Sequence, residues 1–390
     1  TNFFRAVRLA VDANLSSQYR NLLDQDIHSG VDLTTPGQVV VSVEFTDYQD
    51  AVNECALLGS CEVADNVARI HYRFRPKREI LEDIEAGEHD GKGLSLSEDY
   101  HYQVTGGGKM DPAKVEWNED LGSSLKFGHL QAFHVESLPA LRDVTYSLRQ
   151  AYESPLGRLL NASTIEDNEK DALIQILQKA NEDIEKQPTV NETGEAIKQA
   201  FATAAGEAFE MDVKLGMADP SFASIVRSLK VLLTNDSLTN FEVARNGLGL
   251  NNILYISMLL EYFERRAATN KAAGQLLLLE EPEAHIHPQL QRVLYSTLAS
   301  KPFQAILSTH STHISSLASV ESFITLTNDG TTATSSCVPS TEASLTPRET
   351  ADLNRYLDAT RSTLLLAPSW YQLMPLGKRL RNFGVPVVGP

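Results

Sequence analysis

The chain has 390 residues, of which 42% are hydrophobic and 22% charged, enough for two or three domains that each bury a core. Its formal net charge of −17 excludes a protein that coats nucleic acid by bulk attraction, although a local basic surface can still meet DNA. Three cysteines (Cys55, Cys61 and Cys337) exclude a disulfide framework, and no apolar stretch reaches the ~20 residues of a membrane span. The amphipathic N-terminus is interrupted by Arg5, Arg8 and Asp12, so it does not read as a signal peptide. The expected setting is the cytoplasm, with no membrane partner.

Residues 1–20 are predicted as one helix, because Phe3, Phe4, Val7, Ala10 and Val11 follow helical spacing. A β-rich region comes next, with strands expected at Val39–Phe45, Ala68–Phe74 and Tyr100–Val104. The acidic, glycine-containing stretch Glu79–Glu98 reads as a surface loop, and Leu130–Val135 (LQAFHV) as a strand. Residues 144–210 form a helical insert, with Leu159, Leu160, Leu173, Ile176, Leu177, Ile184, Ile197 and Phe201 recurring among charges. That insert suits either a coiled-coil-like dimerisation hairpin or a plain solvated subdomain. Short β-type runs span Ser228–Glu242. Then come a helix at Asn251–Arg266, a strand at Leu276–Glu280, a helix at Gln289–Ser300 and strands at Ala305–Thr309 and Phe323–Leu326. Such alternation predicts an α/β fold with a parallel sheet.

Three segments carry chemistry. In Gln275–Gln289, QLLLLEEPEAHIHPQ, four leucines read as a strand buried on both faces, stopped by Pro282. Glu280 and Glu281 then stand at the C-terminal end of a parallel strand, where open sheets bind ligands. One such carboxylate can hold Mg²⁺ while the next polarises an attacking water. Glu-Glu alone reads more simply as a strand ending in solvated acids. In Gln304–His313, QAILSTHSTH, a second buried strand ends at Ser308, Thr309 and His310, and an imidazole there can meet a γ-phosphate or the attacking water. Alone, it equally suits a structural histidine. In Asn246–Asn252, NGLGLNN, Gly247 and Gly249 precede a helix, about 30 residues before the acids. Paired glycines let backbone amides approach a phosphate, and a helix N-terminus favours anions.

A glycine signature with its helix, then LLLLEEPEAHIHP, then ILSTHS, resembles the ordered motifs of ABC-type ATPases of the SMC/RecF kind. LPALRD at Leu138–Asp143, the insert, NGLGLNNILYIS and LDATRSTLLLA at Leu357–Ala367 make it most similar to the OLD family of ATP-dependent endonucleases. The resemblance implies an ABC-type ATPase core with parallel and antiparallel sheets and a helical insert. It implies that Glu280 positions Mg²⁺, that Glu281 is the general base, and that His310 is a switch histidine. A general base is typically worth about 10²–10⁴ in rate. Gly247 and Gly249 match the signature, which in this superfamily contacts ATP held by the opposite subunit of a homodimer. His285 and His287 fall where the family has its AH-h-HP pattern and are expected to be structural rather than metal ligands. The implied function is ATP hydrolysis that controls a DNA nuclease in phage defence or DNA processing. A stand-alone regulatory ATPase with a separate effector protein is the alternative.

Two departures qualify the resemblance. The phosphate loop GxxxxGK[ST] is absent, yet Thr1-Asn2-Phe3-Phe4 matches the residues that come after its lysine, with Thr1 as a Mg²⁺-ligating hydroxyl and Asn2 beside the nucleotide. The expectation is a sequence that belongs to a longer protein, the alternative being a pseudo-ATPase. After Asp358 there is no Asp or Glu, so these residues supply no carboxylate for the Mg²⁺ or Mn²⁺ of a TOPRIM nuclease. The implied segments are 1–143 and 216–345 for the ATPase, 144–215 for the insert, and 346–390 for a linker and incomplete TOPRIM start.

Overall fold

The computed structural model describes residues 2–28, 30–31, 35–50, 52–131, 133–140, 155–162, 165–205, 214–234, 241–242, 245–268, 274–328, 333–337 and 345–359. Its contacts divide the chain into two compact units, Thr1–Arg142 with Ala267–Pro390, and Asp143–Arg266.

The chain opens with α1 (Asn2–Val11) and, after a break, the single turn α2 (Ser17–Arg20). The expected continuous helix is interrupted because Asp12 Oδ1 takes the amide of Asn14 at 3.0 Å, forming a local turn that competes with helix. The fully buried Arg20 then donates to the carbonyls of Leu9 and Asp12, satisfying the open end of α1 from behind.

An antiparallel sheet comes next, built from β1 (Val39–Thr46), β2 (Glu62–Ala64), β3 (Val67–Pro76), β4 (Tyr100–Gly106) and β5 (Ser123–Ser124), with α3 (Val52–Leu58) between β1 and β2. The strands lie in the order β1–β3–β4–β5, and β2 pairs with β3. β3 alternates cleanly. Ala68, Ile70, Tyr72 and Phe74 enter the core, and Arg69, His71, Arg73 and Arg75 occupy the other face. That second face is polar but covered. Arg73 donates to the carbonyls of Glu116 and Glu119, and Arg75 to those of Trp117 and Glu119. His71 is held between Ser42 Oγ at 2.7 Å and the Gly107 carbonyl at 3.0 Å. Burial lowers the Arg73 pKa to about 10.

The stretch expected to be all loop contains α4 (Arg78–Ala86), which ends on Gly87 in the left-handed region at φ 76°. LQAFHV also departs from expectation. Its first residue closes the short helix α5 (Phe127–Leu130), and the strand β6 runs over His134–Leu138.

The second unit contains α6 (Pro155–Ala162), α7 (Asp167–Glu185), α8 (Pro188–Ala205) and α9 (Phe222–Ser228). It continues with the hairpin β7 (Leu232–Leu233) and β8 (Phe241–Glu242), and then α10 (Leu248–Ala268). α9 packs on α6 and α7, and α7 on α8. Ser221 and Ser224 form a reciprocal cap at the start of α9. No side chain of α7 is buried.

Back in the first unit, β9 (Gln275–Glu280), α11 (Pro288–Ala299) and β10 (Gln304–Ser308) form a strand–helix–strand crossover. The parallel sheet has the order β10–β9–β6, so β9 is central. Leu276 and Leu278 belong to the cluster that includes Phe4, Ala10 and Val11 of α1, Val135 of β6, and Ile70 and Tyr72 of β3. Leu277 and Leu279 point to the opposite face and are also fully buried. The chain continues through α12 (Thr312–Ser315) to β11 (Ile324–Asn328), β12 (Ala333–Cys337) and α13 (Pro347–Ala359). β11 lies close to the strand expected at Phe323–Leu326, yet it pairs antiparallel with β12 in a separate ribbon rather than extending the parallel sheet. None of the helices among the described residues is long and apolar enough to cross a membrane.

Candidate functional site

Four leucines fix the position of two acids. Because β9 is held in register between β10 and β6, its last residue, Glu280, lies opposite Ser308, and Leu279 lies opposite Leu138. Glu280 is half-buried, and its Oε2 accepts the amide of Ala140 at 3.3 Å. The next residue leaves the sheet. Glu281 donates its amide to the Ser308 carbonyl at 2.9 Å, then turns into the left-handed region at φ 42°. Pro282 supplies a fixed φ for the turn closed by Ala284 N to Glu281 O at 3.1 Å. Both the strand stop and the sharp turn of the acid thus arise from Glu-Pro.

The turn brings Glu281 to His310. Glu281 Oε1 lies 3.6 Å from His310 Nε2, an ion-pair separation for a protonated imidazole. The His310 side chain is 90% exposed and that of Glu281 44%, so solvent screens the pair and it contributes little to stability. Both residues line a cavity of about 870 Å³. Ser308 and Thr309 add polar surface to it, and Phe3 and Phe4 of α1 line it as well.

Two features of this site are not visible in the sequence. Glu283 Oε1 accepts from Thr309 Oγ1 at 2.7 Å, from the His310 amide at 2.8 Å and from the Ser311 amide at 3.1 Å. Ser311 Oγ in turn donates to Gln291 Oε1 at 2.6 Å and caps α12. Gln291 is buried and donates to the Ile286 carbonyl at 2.7 Å, which ties the turn after β9 to the turn after β10. The only sequence signal for Glu283 is an acid two residues beyond the pair, and that spacing does not reveal its partners 26 to 28 residues away.

The other expected residues are spread between the two units. Glu280, Glu281 and His310 stand together at the C-terminal ends of β9 and β10. Thr1 lies outside the described residues, and Asn2 is the exposed first residue of α1. Gly247 and Gly249 belong to the second unit. The helix expected from Asn251 begins at Leu248, so Gly249 is inside its first turn, and the Gly247 carbonyl accepts from Leu250 and Asn251. A side chain added at Gly247 would meet nothing within 4 Å among the described residues, so none of them requires glycine there. His285, at φ 61°, and His287, just before α11, are exposed. Among the described residues, no three His, Cys, Asp or Glu side chains cluster as a metal cage. Leu141–Asp143 of LPALRD, and all but Leu357–Ala359 of LDATRSTLLLA, lie outside the described residues.

Residues 142–315 match a family described as AAA ATPase domain. The matched stretch, under half of the chain, contains the glycine signature, both acids and His310. An ATPase-type domain, and with it use of a nucleotide, is therefore indicated over these residues. No curated protein matches the sequence. Two solved structures show a distant likeness. Stu0660 of Streptococcus thermophilus is 12% identical with a TM-score of 0.32, covering 63% of this chain and 66% of that one. An Smc head bound to the C-winged helix domain of ScpA is 13% identical with a TM-score of 0.42, covering 87% and 88%. Likeness at that level transfers neither activity nor partner.

Proposed function

We propose that this chain is the ATPase part of an OLD-type ATP-dependent endonuclease, with Glu281 as general base and His310 as the switch residue beside it. The observation that carries the hydrolytic reading is the meeting of Glu281 and His310 at the carboxyl ends of two adjacent parallel strands, on one cavity wall. Parallel sheets bind ligands there. An exposed carboxylate at that point can take a proton from water, and an imidazole 3.6 Å away can share the developing charge.

Glu280 fits a role as Mg²⁺ ligand, since one of its oxygens holds the Ala140 amide and the donor set is oxygen. Mg²⁺, when bound with ATP, would neutralise charge on the phosphates. Because the described residues close no metal cage around Glu280, it suits Mg²⁺ shared with a phosphate. In this reading Thr1 joins Glu280 on Mg²⁺ and Asn2 adjoins the nucleotide. Gly247 and Gly249 meet the nucleotide of a second copy, in a homodimer or larger assembly. The functional segments are then 1–143, 144–215, 216–345 and 346–390. Hydrolysis in that assembly governs a metal-dependent DNA nuclease acting in phage defence or DNA processing, a step that rests on the sequence resemblance alone.

The deciding experiment is Glu281→Gln in the full-length protein. Turnover should fall about 10²-fold or more while ATP binding persists and the dimer accumulates. Unchanged turnover would refute the assignment of the base. The second reading is a regulatory ATPase acting on a separate effector. Nicking of plasmid by the purified full-length protein with Mg²⁺ or Mn²⁺ supports the nuclease. ATP-dependent dimerisation with a co-purifying partner and no nicking supports the regulator.

A further inference from the structure

The hydrogen-bond ladder between β9 and β10 ends at Ser308 opposite Glu280, with one more bond from the Glu281 amide to the Ser308 carbonyl. Beyond it, Thr309, His310 and Ser311 have left the sheet. Glu283 Oε1 takes the Thr309 hydroxyl and the amides of His310 and Ser311, and Thr309 Oγ1, itself held by Glu283, also accepts the Ser311 amide at 3.0 Å. Hydrogen bonds to a charged acceptor are the stronger kind, and three on one oxygen fix a turn rather than merely decorate it. Among the described residues, the His310 side chain makes no hydrogen bond that could substitute. It is 90% exposed, and its contact with Glu281 is 3.6 Å long. Where His310 stands is therefore decided through its backbone. The other oxygen, Glu283 Oε2, is buried and has no hydrogen-bond partner among the described residues, so the hydrogen bonds seen for this carboxylate all go to that turn. Glu283 also lies two residues after Glu281, inside the same pair of turns.

We propose that Glu283 is a positioning residue that sets the distance between Glu281 and His310 by bracing the Thr309–Ser311 turn. It touches neither nucleotide nor attacking water, and acts through His310. The kinetic part of this proposal rests on the hydrolytic reading of Glu281 and His310. The bracing itself does not.

Two measurements test it. In the purified chain, amide hydrogen exchange across residues 309–311 should rise about tenfold or more in Glu283→Ala. In Glu283→Gln, whose amide carbonyl oxygen still offers an acceptor to the turn, it should stay within about threefold of wild type. Unchanged exchange in Glu283→Ala, with thermal unfolding also unchanged, overturns the brace. In the full-length protein, Glu283→Ala should lower kcat about 10- to 100-fold with KM for ATP within about twofold, and Glu283→Gln should restore most of the rate. In a His310→Ala background the same Glu283→Ala change should add less than about twofold. Equal losses in both backgrounds would make Glu283 a general structural support and overturn the positioning role. Glu281→Gln measured alongside separates the two failures. If it turns over normally, the hydrolytic reading falls, and the exchange data still uphold or overturn the brace.

Discussion

β9 is rich in leucine and α7 in leucine and isoleucine, and they meet opposite fates. Leu277, Leu278 and Leu279 of β9 are each 0% exposed, whereas α7, a helix of 19 residues, buries none of its side chains and leaves Ile176 67% exposed. The strand is packed on both faces and paired on both edges, so its C-terminal acids inherit a fixed position. The helix shares its small contacts with α8 and α9 and has little to lose from a change in any one apolar residue. Chemistry that needs ångström placement belongs at the end of the first kind of element. A surface that meets a partner tolerates the second.

The largest effect expected from this contrast is in β9. Leu278→Ala should cost about 2–5 kcal/mol in urea denaturation, because a fully buried side chain leaves a cavity. A loss below about 1 kcal/mol would mean the strand is not the rigid element it is here taken to be.

Acid should come next, and it should act on the first unit selectively. Burial pushes the His71 imidazole pKa down, with Arg69 and Arg73 adding to the effect and the Gly107 carbonyl opposing it. His101 is lowered by burial too, helped by Arg75 and Lys77. Both are neutral in the fold while the unfolded chain takes up protons from about pH 6.5 downward. Their stabilisation is complete above that pH and is lost as pH falls through the lower folded values. The helices α6 to α8 contain no histidine. Hydrogen exchange at about pH 7.5 and 5.5 should therefore show the antiparallel sheet loosening before those helices. Simultaneous loosening would break the contrast.

The smallest effect belongs to α7. Ile176→Ala should change stability of the chain by no more than about 0.5 kcal/mol. A larger loss, in protein kept dilute enough to exclude association, would show burial that the isolated chain does not have.

Much of the site is legible in the sequence because its signals are local. Four leucines in a row announce a strand buried on both faces, Pro282 marks its end, and one helix later QAILS supplies the parallel neighbour in register. The helix of REILEDIEA is equally available from Ile80, Leu81 and Ile84 and the terminal Gly87, but the acidity of its surroundings suggests a loop. The break at Asp12 is not legible. It combines the local turn in which Asp12 Oδ1 takes the Asn14 amide with Arg20 reaching back to the carbonyls of Leu9 and Asp12, and neither contact has a sequence period. The same limit hides Glu283, whose partners lie across a whole helix in the sequence. Pairing of β11 with β12 escapes for a related reason: strand propensity locates a strand but does not choose its neighbour.

Glu281 occupies a left-handed backbone position, φ 42°, that glycine or asparagine would hold more comfortably by about 1 kcal/mol. Position 281 therefore acts as a record of the pressure applied to the protein. A library screened only for survival of heat should drift there toward Gly or Asn, and one screened for turnover should keep the acid. In laboratory evolution of this chain, the residue found at 281 would tell which of the two had been rewarded.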